Sequence, residues 1–237
     1  MTGVAEIAGS LFAPSSAVWT AATLCAYLAA GRLQRLAGPS PVLNPVAVSV
    51  ALVVAALAAT GTSYEAYSES TRVLQALLGP ATVALAVPLH QNLVKVRRAM
   101  VPLLAALLAG SATAVVSAVL VALAFAATET TASLVPKSVT MPIAMAIADR
   151  IGGWASLAAT FVMLTGIIGA IAAPPLFRLL AIRDERARGV ALGVAAHGIG
   201  MAQAFQSGQV TGTFAGVAMG LNGLVTALAV ALLLMLT

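Results

Sequence analysis

Long stretches without a charged side chain alternate along this chain with short clusters of Lys, Arg, Asp and Glu. The charge-free stretches cover residues 7–31, 36–64, 73–94, 99–128, 151–177 and 189–237. One crossing of a hydrocarbon core needs about 20 residues, so each stretch holds one crossing and the last holds two. The pattern predicts helices over 11–31, 41–60, 73–91, 101–127, 154–176 and 210–236, with a short segment over 133–148 and a glycine-rich one over 190–207. The resulting fold class is all-α: a polytopic membrane protein with about seven or eight membrane segments, forming a single integral membrane domain over residues 1–237.

Several of these segments cannot be smooth helices. Proline removes a backbone donor and crowds the preceding turn, and glycine weakens a helix interior. Gly79-Pro80 lies near the middle of the third segment and Pro88 near its end, so this segment is expected to be discontinuous or re-entrant. Pro136 and Pro142 bracket the break in the fifth segment, Pro174-Pro175 is expected to stop the sixth, and Gly198 and Gly200 to break the glycine-rich one. Gly38-Pro39-Ser40-Pro41 punctuates the first turn, and the polar stretch 61–72, with Glu65 and Glu69, is expected to carry a short surface helix.

Sliding the chain on itself lays Pro80 on Pro136, Thr82 on Ser138, Val83 on Val139 and Leu85 on Met141, with no gap up to Leu108-Ala109-Gly110 on Leu164-Thr165-Gly166. Residues 72–127 and 128–183 are therefore candidate structural repeats, followed by 184–237 as a broken helix plus a last transmembrane helix. The basic loops 92–98 and 178–188 both belong on the cytoplasmic side. An even number of crossings must then lie between them, which is met if the fifth segment enters and leaves on one face. The repeats are in that case inverted, with broken helices meeting near the midplane as in many secondary transporters.

Composition supports the membrane assignment and excludes other classes. Hydrophobic residues make up 61% and charged residues 8%, with a mean hydropathy of +1.03, against about a quarter charged in soluble domains. The net charge of +5 sits in short loops, where it reports orientation rather than nucleic-acid binding. Cys25 is the single cysteine, which excludes an internal disulfide and any multi-cysteine metal site. The basic residues Arg32 and Arg35 follow the first apolar run instead of preceding it, so a first transmembrane helix is expected instead of a cleaved signal peptide. Neither HExxH nor a phosphate-binding glycine loop occurs, and no enzyme, metal or cofactor is expected.

Lys137 is the outlier. It sits in Pro136-Lys137-Ser138-Val139-Thr140-Met141-Pro142, inside an apolar region where an ammonium costs several kcal/mol and is by default a functional-site residue. A cation, two hydroxyls and amides exposed by the prolines are the parts needed to hold a small carboxylate. The alternative is a shallow lysine that snorkels to the interface and pairs with Glu129 or Asp149. Thr82 is the counterpart in the other half. His197 lies between small residues, with Gln203 six residues on, and could donate to a carboxylate or carry a coupled proton. Glycines 189, 193, 198, 200, 208, 212, 216, 220 and 223 form a stripe suited to close helix packing.

The motifs Leu77-Leu78-Gly79-Pro80-Ala81-Thr82-Val83, then Pro136-Lys137-Ser138-Val139-Thr140-Met141-Pro142, then Ala187-Arg188-Gly189-Val190 with His197-Gly198-Ile199-Gly200 closely resemble the LrgB/CidB membrane family from about residue 38 to the C-terminus. That family includes bacterial inner-membrane proteins described as antiholin-like, linked to control of murein hydrolases and lysis, with a smaller LrgA/CidA partner. It also includes the plant plastidial glycolate/glycerate translocator and members associated with pyruvate uptake. The resemblance implies a multi-pass transporter or facilitator of small monocarboxylates such as glycolate, glycerate, pyruvate or lactate, working by alternating access with possible coupling to protons or Na+, or an antiholin-like regulator. The family pattern carries onto Pro80, Thr82, Pro136, Lys137, Ser138, Thr140, Pro142, His197 and Gly200. Ala196 and Met201 depart from it where Ser and Thr are frequent, which removes two hydroxyls. A homodimer is expected, because closed two-fold assemblies are commonest.

Overall fold

A computed structural model describes residues 14–38, 43–84, 86–125 and 128–236. The expected turn at Pro39-Ser40-Pro41, the start of the first helix and Leu85 lie outside the described residues. Among the described residues the structure is helical with no strand, and it divides into two compact units, Met1–Ala86 and Val87–Thr237.

The first unit contains α1 (Pro14–Ala37), α2 (Pro45–Thr60), α3 (Tyr64–Ser70), α4 (Arg72–Ala76) and α5 (Leu78–Ala84). Helix α2 starts at Pro45 instead of the expected residue 41, because Asn44 caps it by accepting from the amides of Val46 and Ala47. At its end Gly61 takes a left-handed conformation, φ 66°, and the chain turns through 118° into α3. Ser63 caps α3, and Tyr67 ties it to α1 through an edge-on contact with Trp19 and a 3.0 Å bond to Thr23 Oγ1. This is the surface helix expected over 61–72.

The third segment is a row of short helices, α4, α5 and α6 (Ala86–Gln91), together one apolar run over Arg72–Gln91. Gly79 and Pro80 do not break it. They lie inside α5 near its start, where proline forfeits an amide that has no helical partner anyway. Pro88 lies within α6, so neither proline ends a helix, and the described interruption is the turn at Leu77 between α4 and α5.

The second unit continues with α7 (Leu93–Arg98), α8 (Met100–Phe125), α9 (Thr128–Leu134), α10 (Met141–Arg150), α11 (Ala155–Leu179), α12 (Glu185–Ser207) and α13 (Gln209–Leu236). Helix α11 runs through Pro174 and Pro175 to Leu179, where a stop was expected. Proline is tolerated within apolar helices when neighbouring groups satisfy the freed carbonyls. The main core joins Leu103 and Leu107 of α8 to Val190 and Val194 of α12 and to Phe214 and Ala218 of α13. A second core sets Ala144 and Ala148 of α10 against Ala158 and Val162 of α11.

Two elements fold back on themselves. Helix α12 breaks at His197, with φ 38° and ψ −124°, so the histidine and not Gly198 or Gly200 is the break. Leu192 and Gly200 would be about 12 Å apart along a straight helix. Instead, a Cβ on Gly200 would collide with the Leu192 carbonyl oxygen and lie 2.7 Å from Ala196 Cβ, while one on Gly208 would lie 3.7 Å from Glu185 Oε1. The element is a hairpin with His197 at its tip. The other is the stretch from the end of α9 through α10, closed by Trp154 N–H, just before α11, donating to Ser133 Oγ at the end of α9 at 2.8 Å, with residues 135–140 non-helical between α9 and α10. Pro142 does not break α10. It occupies the first turn, which its ring geometry favours.

Among the described residues four helical stretches are long and apolar enough to cross a membrane, or five if the bent pair α2–α3 is one span. This is fewer than the expected seven or eight. Helix α1 carries Ser15, Ser16, Thr20, Thr23 and Arg32, which dilute its apolar character, and α9–α10 and α12 are divided into pieces too short to cross alone.

Candidate functional site

Both hairpin tips reach the same turn of α11. Val139, in the 135–140 break, packs on Val162, and His197 Nε2 lies 3.0 Å from the Val162 carbonyl oxygen. A carbonyl only accepts, so Nε2 carries the proton of that bond. The approach needs Gly166, where a Cβ would lie 2.7 Å from His197 Cε1.

Beside these tips lies a cavity of about 960 Å³ between α8, α11 and α12. Its walls are mostly small and apolar, including Ala106, Ala109, Gly110, Ile168, Gly169 and Val194. Polar groups gather at its two ends. One end has Thr113, Lys137, Ser138 and Thr165, and the other has Asp184 and Arg186. From the level of Ala99, just before α8, to that of Ala114 on α8 the cavity extends roughly 22 Å at the helical rise.

Lys137 donates from Nζ to the Ala114 carbonyl oxygen at 2.9 Å. Among the described residues neither Glu129 nor Asp149 forms an ion pair with it. The ammonium is thus half-buried, lines the cavity, and holds one carbonyl while two N–H donors remain. Ser138 lines the same end and is buried, as is Pro136. Thr140 precedes α10 in an extended conformation and makes no side-chain capping bond to it. Gln203 is half-buried on the returning half of α12. Thr82 belongs to α5 in the first unit. The structure brings Lys137 and Ser138 together in one cavity and places His197 against α11, outside the cavity lining.

At the far end Asp184 caps α12 by accepting from the Arg186 and Ala187 amides and pairs with the Arg186 guanidinium at 2.6 Å. The Arg186 side-chain bonds, joined by its amide bond, hold the Asp184 carboxyl down to about 2. The stabilisation is present above the ordinary carboxylate range and is lost as pH falls through about 2. Lys95 and Arg98 border an adjoining recess of about 360 Å³ with Asp184, Glu185 and Arg186, so the charged end of the cavity is also its basic end.

Two polar residues not anticipated from the sequence join this site. Asn222 of α13, 2% exposed, donates from Nδ2 to the Ser138 carbonyl at 2.7 Å and accepts from Ser111 Oγ of α8. Their signal was a lone Asn in α13, overshadowed in the sequence by the glycine stripe around it, and one of two Ser residues in the apolar α8.

The fold and the long apolar helices define a helical integral membrane protein. Within that class the chain belongs to the LrgB-like family, whose model matches residues 23–236. It is 37% identical to "Uncharacterized protein YwbG" of Bacillus subtilis over 90% of this chain and 94% of the relative. It is 27% identical to "Holin-like protein CidB" of Staphylococcus aureus over 90% of this chain and 93% of that protein. No solved structure matches.

Proposed function

We propose that this protein is a secondary transporter or facilitator of small monocarboxylates in the bacterial inner membrane, with the carboxylate seated on Lys137. The observation that carries this reading is an ammonium at the polar end of an otherwise apolar cavity, bonded to a carbonyl and to no carboxylate among the described residues. Such a cation favours an anion entering from the basic end, and the Ser138 side chain adds a hydroxyl beside it.

In this reading the basic residues Lys95, Arg98 and Arg186 put the cavity mouth on the cytoplasmic side. The hairpins α9–α10 and α12 enter from opposite faces, which restores a crossing pattern of seven or eight segments when each counts as re-entrant, and makes residues 72–127 and 128–183 inverted units. Alternating access then exposes the Lys137 end to the other side. Two copies associate with closed two-fold symmetry, through a face other than Gly189, Gly193, Gly200 and Gly212, which pack against Thr211, Ala215, Leu192 and Phe205 of the same chain.

The test is uptake of labelled pyruvate, lactate and glycolate into liposomes containing the purified protein. Saturable uptake above that of empty liposomes is expected. Silence across a wider carboxylate panel overturns the reading. The name of the relative "Holin-like protein CidB" favours a second reading, an antiholin-like regulator acting with an LrgA/CidA-type membrane partner. That role predicts no saturable carboxylate binding by the protein alone.

A further inference from the structure

We infer that Asn222 is a positioning residue, which fixes the 135–140 break and thereby aims Lys137 into the cavity. The inference rests on the carboxylate reading of that cavity, and its geometry stands apart from it.

At its edges the break bonds to the flanking helices, Val135 N–H to the Thr131 carbonyl at 3.0 Å and Ala144 N–H to the Thr140 carbonyl at 2.9 Å, and between them lie two short-range bonds, Lys137 N–H to the Leu134 carbonyl at 3.1 Å and Val139 N–H to the Pro136 carbonyl at 3.2 Å. The Ser138 carbonyl is taken by the Asn222 side chain, from a helix 84 residues further on. A buried main-chain carbonyl without a partner is costly, so this bond restrains the residue next to Lys137. The amide orientation is also determined. Only Nδ2 can donate to the Ser138 carbonyl, so Oδ1 must face Ser111, whose hydroxyl then donates. Ser111 lies on α8 one turn before Ala114, the residue whose carbonyl receives the Lys137 ammonium. A single carboxamide therefore ties the break to the helix against which Lys137 is measured. A buried Asn in an apolar helix has few other partners, and the bond is correspondingly specific.

The experiment uses the full chain with Cys25→Ser, which leaves no native cysteine. In that background Ser138→Cys is labelled with a small water-soluble thiol reagent without any substrate, and Thr165→Cys, on α11 in the same cavity, serves as the control. Asn222→Leu keeps the side-chain volume and is expected to speed labelling at residue 138 about tenfold while leaving residue 165 unchanged. Without a thiol substitution at residue 138, the same Asn222→Leu change is expected to weaken pyruvate binding by about tenfold. Ser111→Ala, the milder variant should Asn222→Leu not fold, gives about threefold in both measurements. Unchanged labelling at residue 138 overturns the proposal, and so does an equal rise at residue 165, which reports general loosening. Faster labelling confined to residue 138 in a protein that binds no carboxylate upholds the positioning and overturns the transport reading alone.

Discussion

The two breaks in the second unit differ in sequence, one bracketed by prolines and the other set among glycines, and they behave differently in structure. The first, residues 135–140, spends six residues out of helical geometry, leaves the Lys137 side chain lining a cavity, and draws on Asn222 to satisfy its main chain. The second is a single residue, His197, whose positive φ lets α12 reverse, and whose ring is bonded to α11. A wide break presents functional groups, while a narrow one consumes its polar group in holding the fold. Holding a non-glycine residue at such a φ costs about 1 to 3 kcal/mol, which the glycine-lined packing around the hairpin must offset.

The largest test of this contrast is Lys137→Ala. If the ammonium meets a desolvated carboxylate, affinity should fall by about 2 to 5 kcal/mol with little change in thermal stability. Lys137→Arg should rescue poorly, because a planar fork presents its donors differently. Binding calorimetry on folded protein decides the matter. Wild-type affinity in Lys137→Ala would remove the wide break from the site.

In the narrow break the effects should fall on stability instead. A Cβ at Gly193 would collide with the Ala215 carbonyl oxygen of α13, so Gly193→Ala should destabilise by about 3 kcal/mol. Gly198, one residue past the break, has open space around it, and Gly198→Ala should stabilise by about 1 kcal/mol through helix propensity. Opposite signs at two glycines five residues apart, read by thermal unfolding in detergent, would establish that packing governs this element. Two losses of equal size would refute it.

These residues also show how far the sequence was legible. Hydropathy and charge marked α8, α11 and α13 closely, since a long apolar run has few other structures available. Pro136 and Lys137 marked the wide break because each is expensive in an apolar helix. The narrow break was misplaced by a residue, since a histidine at positive φ has no local signature and is imposed by tertiary packing. The Asn222 bond to Ser138 was invisible for the same reason: partners so far apart in sequence meet only once the fold exists. Pro80 misled because a proline's effect depends on whether it falls in the first turn or the interior.

His197→Gln probes the narrow break more gently. The glutamine amide can replace Nε2 in donating to the Val162 carbonyl, so a stability loss of about 1 kcal/mol is expected, with carboxylate affinity and its pH dependence unchanged. A flattened pH profile in the variant would instead make the ring a proton carrier and erase the difference between the two breaks.

The smallest effect concerns the cavity wall. Lactate differs from glycolate by one methyl group, and the walls beyond Lys137 are formed by residues such as Ala109, Gly110 and Ile168, which offer no hydrogen bond from their side chains. A methyl group moved from water onto such a wall contributes about 0.8 kcal/mol, so lactate should bind roughly fourfold more tightly than glycolate. Glycerate, with a hydroxyl added at that methyl, should lose the advantage, because the wall leaves the added group unpaired. Competition of the three acids against labelled pyruvate measures the series. Should glycerate bind most tightly, the substrate tail must face polar groups elsewhere, and the apolar wall would have no part in selecting it.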